Sequence, residues 1–162
     1  MIECFNAVSG RKYTVVANSI IGMPDETRDL IFDTINFVKK LPEDVDTSGA
    51  FVFAPFHGTG LRDLAVEKGY FDGDKIVDMA YFSKSLLKMP SISAAEIEGL
   101  ARTFSFYVKF PENRYSEIKT AESVNQAGKE KWQDLSTEFD STWRYHLKDD
   151  LQGIKDNLLI VD

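Results

Sequence analysis

The sequence predicts an α/β fold in which parallel strands alternate with helices. Residues 12–21 and 50–56 are rich in β-branched and aromatic side chains, and each segment runs into a glycine-containing turn followed by a helical pattern. Their nearly continuous apolar character is typical of parallel strands that are covered on both faces. Two strand-turn-helix units in series predict parallel strands joined by right-handed crossovers, as in a (β/α) barrel or an open α/β sheet.

Two strands alone do not make a stable sheet, so the predicted sheet needs more strands. They are expected either from residues 71–90, where the pattern of residues 76–87 is ambiguous, or from another chain or a segment outside this sequence.

The first unit begins after a short helix predicted over residues 1–10, with Gly10 placed as its C-terminal cap. A Gly-Met-Pro turn after the first strand opens a second helix, which ends before Pro42. Asp25 and Glu26 are expected in the first turn of this helix, where acidic side chains interact favourably with the helix dipole. A paired-carboxylate role in acid-base chemistry is the less favoured alternative.

The second unit follows a polar link predicted over residues 43–48. The sequence His57-Gly58-Thr59-Gly60 opens its helix, and Gly69 ends it. The apolar stripe of this helix is expected to consist of Leu61, Leu64, Ala65 and Val66.

A long helix is predicted between Ser93, which forms a capping box with Glu96, and Pro111. Residues 112–162 are predicted to add two or three helices, with residues 116–131 as the most flexible stretch and residues 158–161 as a short strand or a docking tail. Aromatic and aliphatic side chains at near-helical steps favour a core-facing stripe over an interaction face. These side chains are Trp132, Leu135, Phe139 and Trp143.

Composition excludes several classes of function. The formal net charge is −7 and the isoelectric point is about 4.9, which disfavours binding to nucleic acid or to an anionic membrane surface. No apolar stretch approaches the length of a membrane span, and the N-terminus resembles no signal peptide, so a cytoplasmic protein is expected. Cys4 is the only cysteine, so no internal disulfide and no cysteine-based metal or cluster site is expected within one chain.

Candidate catalytic groups are sparse. His57 and His146 are the only histidines, and a metal site shared by them is less favoured than ordinary exposed or hydrogen-bonded histidines. No Ser-His-Asp order, phosphate-binding Walker loop or zinc-type spacing is present.

Four motifs resemble a known family when taken in their order and spacing. Ile20-Ile21-Gly22-Met23-Pro24 with Glu26-Thr27 is similar to the IIGLPGET segment of radical S-adenosylmethionine enzymes, with Asp25 where that family usually has glycine. Residues 55–61 resemble the PYPGTxL turn of the cobalamin-binding branch, and residues 65–70 continue as that branch does. The sequence also resembles the segment that follows the family's barrel, at residues 88–90, 96–104 and 107–111.

The resemblance implies that residues 1–111 are the second half of a partial (β/α) barrel and that residues 112–162 are a helical C-terminal extension. In the family the fifth and sixth strands flank the adenosyl part of S-adenosylmethionine, and strand ends carry ligand contacts in parallel barrels. By this analogy the cofactor-binding residues are Asn18, Ile20, Ile21, Gly22, Phe56, His57 and Gly58. The alternative is that these residues serve only as core and turn.

The resemblance also implies what the chain lacks. The family's [4Fe-4S] cluster needs three cysteines from a Cys-x-x-x-Cys-x-x-Cys loop, which is missing from this sequence, and cobalamin belongs only to the full-length family. The chain is therefore expected to be a segment of a catalytic domain that is inactive alone and pairs with a complementary chain carrying the first half of the barrel. A stand-alone, non-enzymatic α/β module that self-associates or binds a partner protein is the alternative.

Overall fold

The structure is a computed structural model that describes residues 1–10, 15–77 and 84–143. The helix assigned to residues 1–10 is confirmed, whereas His146 and the predicted tail at residues 158–161 lie outside the described residues. Within the described ranges the chain forms two strands and six α-helices, in the order α1 (Ile2–Val8), β1 (Val15–Ile21), α2 (Arg28–Val38), β2 (Val45–Val52), α3 (Gly60–Glu67), α4 (Ala94–Lys109), α5 (Tyr115–Ala121) and α6 (Gln126–Thr142).

The two strands pair in parallel with α2 in the connection between them. The register joins Val15 to Val45 at one end of the ladder and Ile21 to Val52 at the other. The strand β2 holds one more residue than β1, and the register shifts between Ala17 and Ser19 to accommodate it. Gly49 lies in the bulge with φ 95°, a left-handed conformation that favours glycine. The predicted α/β class with parallel strands is confirmed.

The second strand begins earlier than predicted. The prediction of a polar link over residues 43–48 was wrong from Val45 onward, because β2 begins there. The strand ends at Val52, whereas the sequence predicted that it ends at Phe56. Val45 and Thr47 are buried, and the Ser105 hydroxyl of α4 donates to the Thr47 carbonyl oxygen at 3.4 Å. Contact with α4 therefore recruits this polar segment into the sheet.

Within the described residues helices cover only one face of the sheet, whereas the sequence predicted strands covered on both faces. Burial alternates along β1: Ile21 is fully buried, whereas Ile20 is 51% exposed. Ile20 pairs with Phe51 of β2, which is 45% exposed. We call the surface formed by Val16, Asn18, Ile20 and Phe51 the exposed sheet face.

The opposite face of the sheet carries the hydrophobic core. Ile21 and Val52 belong to one cluster with Ile31 and Ile35 of α2 and with buried side chains of α4. The capping box of α4 is confirmed, because the Ser93 hydroxyl accepts from the Glu96 N–H while the Glu96 carboxylate accepts from the Ser93 N–H. The two helices and one sheet face thus form a two-layer unit.

The apolar stripe predicted for α3 was only partly right. Ala65 is fully buried, but Leu61 and Val66 are exposed. Arg62, which the stripe did not include, is buried instead.

The C-terminal helices pack onto the far side of α4. Residues 116–131, predicted as the most flexible stretch, contain α5, whose Ile118 and Ala121 are fully buried, and the start of α6. The core-facing stripe of α6 is confirmed: Leu135 and Phe139 are buried, and the half-buried Trp143 ring meets the Phe110 ring edge-on at 4.8 Å.

A buried carboxylate joins three helices of this assembly. Glu122, at the end of α5, accepts hydrogen bonds from Arg28 of α2 at 2.6 and 3.0 Å, from the Tyr107 hydroxyl of α4 at 2.7 Å and from Lys119 at 2.9 Å. Burial acts to raise the pKa of Glu122, but these hydrogen bonds outweigh it and hold the pKa below the ordinary value of 4.5.

Removing this charge is expected to destabilise the fold in a pH-dependent way. Glu122→Gln keeps the side-chain shape but removes the negative charge that accepts from Arg28 and Lys119. We therefore expect the free energy of unfolding to fall by about 1–3 kcal/mol at pH 7. A lowered folded-state pKa stabilises the protein above the unfolded value, and that stabilisation is lost as the pH falls through the folded value. The difference between wild type and variant should therefore shrink below pH 4.5.

Urea denaturation at pH 7 and at pH 4 measures both effects. The matched control is Glu138→Gln, because Glu138 pairs with Arg114 at 3.1 Å but is exposed, so we expect a change within about 0.5 kcal/mol. Equal stabilities of the Glu122 and Glu138 variants would contradict the buried network.

Candidate functional site

An apolar cavity opens at the carboxyl ends of the two strands. Its volume is about 470 Å³, within the range of small-molecule sites. Ligands of parallel α/β proteins bind at this end of the strands. The lining residues are Ile20, Phe51, Val52, Phe53, Ala54, Phe56, Thr59 and Leu61.

The lining favours an uncharged, apolar group. No lining side chain is ionisable, and Thr59 contributes the single hydroxyl. The Thr59 hydroxyl donates to the Phe56 carbonyl oxygen at 2.8 Å and caps α3 by accepting from the Arg62 N–H at 3.4 Å. The same threonine therefore begins the helix and fixes the turn that carries Phe56.

The structure brings together two of the seven predicted cofactor-binding residues. Ile20 and Phe56 line the same cavity, Ile20 from β1 and Phe56 from the turn after β2. Asn18 lies on the exposed sheet face but lines a separate cavity of about 270 Å³ beside α1.

The other predicted residues lie outside the lining of this cavity. Ile21 points into the core, and Gly22 occupies the turn after β1 with φ 82°. His57 and Gly58 are exposed in the turn before α3.

Several lining residues were not predicted from the sequence. Phe51 enters the site because it pairs with Ile20 across the ladder, and Leu61 enters because it lies on the exposed side of α3. A register between the two strands would have identified Phe51, since paired residues of parallel strands lie on the same face.

The carboxylate of Glu26 closes the turn after β1. The Glu26 carboxylate accepts from the Gly22 N–H and from the Met23 N–H, the latter at 3.1 Å. Burial raises the pKa of Glu26, and the two backbone N–H groups oppose that rise. The expectation that Asp25 and Glu26 lie in the first turn of the helix was wrong, because Thr27 caps α2 and the helix begins at Arg28.

Asp25 takes a conformation that usually belongs to glycine. Its φ is 65°, and it is the one non-glycine residue with positive φ in the described part of the chain. Its carboxylate accepts from Lys68 and from the Tyr70 hydroxyl, the latter at 2.9 Å, and these hydrogen bonds hold the pKa of Asp25 below its usual value. The turn after β1 is thereby linked to the end of α3.

Metal-ligating groups do not cluster in the described residues: no group of three or more histidine, cysteine, aspartate or glutamate side chains there is placed to hold an ion. Cys4 is exposed on α1. A single cysteine does not fit a [4Fe-4S] cluster, which requires three thiolates. Among the described helices, none combines the length and apolar character needed to cross a membrane.

Comparison of the chain with protein-family models, with curated proteins and with solved structures found no match.

The positive φ at residue 25 should make stability depend on which side chain occupies this position in the turn after β1. Asp25→Gly removes the Cβ that is unfavourable at φ 65°, so we expect a melting temperature equal to or above that of wild type despite the loss of two exposed hydrogen bonds. Asp25→Val should lower the melting temperature, because a β-branched residue is an outlier at this φ. Thermal melts followed by circular dichroism measure both, and a glycine variant less stable than the valine variant would disprove the assignment.

Proposed function

We propose that this chain is the second half of a (β/α) barrel of the radical S-adenosylmethionine type, related to its cobalamin-binding branch. Its cavity would receive the adenosyl part of S-adenosylmethionine once a complementary chain or segment supplies the remaining strands. The observation that carries the proposal is the exposed sheet face, which ends in an apolar cavity at the carboxyl edge of parallel strands.

The one-sided sheet suits half of a barrel. In a (β/α) barrel the helices lie outside and the inner strand faces pack against one another. Here the core with α2 and α4 lies on one face, while Ile20 and Phe51 point away from it. The exposed sheet face therefore has the apolar character of an inner barrel face.

The turn chemistry supports the same proposal. Gly22 and Asp25 both have positive φ, and they occupy the two positions at which the resembled IIGLPGET segment has glycine. An aspartate tolerates the left-handed conformation better than most residues. The departure from the family pattern at Asp25 thus leaves the backbone requirement of the motif intact.

The apolar lining of the cavity suits the face of an adenine ring. A flat heteroaromatic ring gains contact with the Phe51 and Phe56 side chains and with Ile20. The iron-sulfur chemistry of the family does not follow from this chain, because its residues do not fit the cluster. The proposed role is therefore to bind and orient the nucleoside part of the cofactor.

A stand-alone module that self-associates is the second candidate. The favouring observation is again the exposed apolar face, together with the open edges of a sheet that has two strands in the described residues. Size-exclusion chromatography with light scattering separates the two proposals: a stable dimer without any partner favours self-association, whereas a monomer favours the half barrel.

Ligand binding tests the first proposal. Titration of the chain with S-adenosylmethionine in a calorimeter should give weak, saturable binding, since half of the expected pocket is absent. Ile20→Asp places a charge in the cavity, so it should weaken binding at least about tenfold. No heat at millimolar ligand would reject the proposal.

Leu30→Asp is the matched control. Leu30 is 49% exposed, close to the value for Ile20, but it lies on α2 outside the cavity lining. The same change of chemistry there should leave the affinity unaltered. An equal loss in both variants would show that the binding is not at the cavity.

A further inference from the structure

Arg62 is a buried cation that holds two loops together. Arg62 lies in the first turn of α3 and is only 4% exposed. The guanidinium donates to the carbonyl oxygens of Pro55 at 2.8 Å, Gly73 at 2.7 Å and Lys75 at 3.0 Å. It also lies over the Phe71 ring, 5.0 Å from the ring centroid.

The acceptors of Arg62 among the described residues are all neutral. None of the ion pairs among the described residues includes this guanidinium. Burying a charge without an opposite charge is costly unless its hydrogen bonds are satisfied. Three carbonyl oxygens and an aromatic face satisfy it here, in the fork geometry that only arginine offers.

The segment that Arg62 fixes is one wall of the cavity. Pro55 directly precedes Phe56, which lines the cavity. The Phe56 N–H donates to the Ala54 carbonyl oxygen at 2.9 Å, and the Thr59 hydroxyl donates to the Phe56 carbonyl oxygen. Three successive carbonyl oxygens, from Ala54 to Phe56, therefore accept hydrogen bonds, which fixes the backbone of an otherwise exposed turn.

Such a wall is preorganised for a ligand. A binding surface held in place before the ligand arrives loses little conformational freedom on binding. Sites that bind well are supported by groups behind the surface that lock the contacting residues.

We propose that Arg62 is the positioning residue of the cavity: by holding Pro55 against the loop at residues 73–75, it sets the place of Phe56 and thereby the affinity for apolar aromatic ligands. This inference rests on the proposed ligand-binding role of the cavity. It identifies Arg62 as the residue that controls ligand binding at the cavity.

The test compares two arginines that bond to carbonyl groups. Arg62→Lys keeps the charge and the aliphatic stem but cannot span three carbonyl groups. The matched control is Arg102→Lys. Arg102 lies on α4, outside the cavity lining, and donates to the carbonyl oxygens of Ala121 and Ser123. The probes are 8-anilinonaphthalene-1-sulfonate, followed by fluorescence, and S-adenosylmethionine, followed by calorimetry.

We expect Arg62→Lys to weaken binding of each probe at least about fivefold, while Arg102→Lys leaves both affinities within about twofold of wild type. Circular dichroism establishes that each variant is folded. In Arg62→Ala, millimolar methylguanidinium should restore part of the dye affinity, which a purely structural role would not predict.

The outcomes distinguish this inference from the proposed function. Dye binding that depends on Arg62 without any binding of S-adenosylmethionine supports the inference and rejects the function. Equal affinities of wild type and Arg62→Lys for S-adenosylmethionine reject the inference and keep the function. Absence of binding by both probes overturns both, and loss of the fold in both Arg62 variants assigns the residue to the core and overturns the positioning role.

Discussion

The rest of the structure depends on the parallel pairing of β1 with β2, which the described helices cover on one face only. This pairing places Ile21 and Val52 in the core and turns Ile20 and Phe51 outward in the same register. Because both strands end at the same edge, the turn after β2 lies next to Ile20 of β1 there, and together they line the cavity. The exposed sheet face and the cavity are thus two consequences of one strand register.

Charged side chains link the elements around the cavity, whereas no side chain that lines the cavity is charged. Glu122 joins α2, α4 and α5, and Asp25 joins the turn after β1 to the end of α3. Arg62 joins the cavity wall to the loop that follows α3. This arrangement leaves the cavity apolar while its surroundings are fixed by directional bonds, which is the combination that favours an uncharged ring.

The sequence predicted the features that local patterns determine, and it missed those that depend on packing. The capping box of α4, the parallel strand units and the core-facing stripe of α6 follow from spacing and propensity. The start of β2 and the burial of Arg62 do not, because contact with α4 and three distant carbonyl groups decide them. Of the predicted site, Ile20 and Phe56 meet at the cavity, whereas Phe51 required the register between the strands.

Thiol labelling at two adjacent positions of β1 tests most directly that one sheet face is exposed. In a Cys4→Ser background, Ile20→Cys and Ile21→Cys are each treated with a maleimide under native conditions. The thiol at position 20 should react at least about 100-fold faster than the thiol at position 21, which becomes accessible only when the structure opens. Equal labelling rates at the two positions would contradict the one-sided sheet, and with it the cavity and the half-barrel proposal.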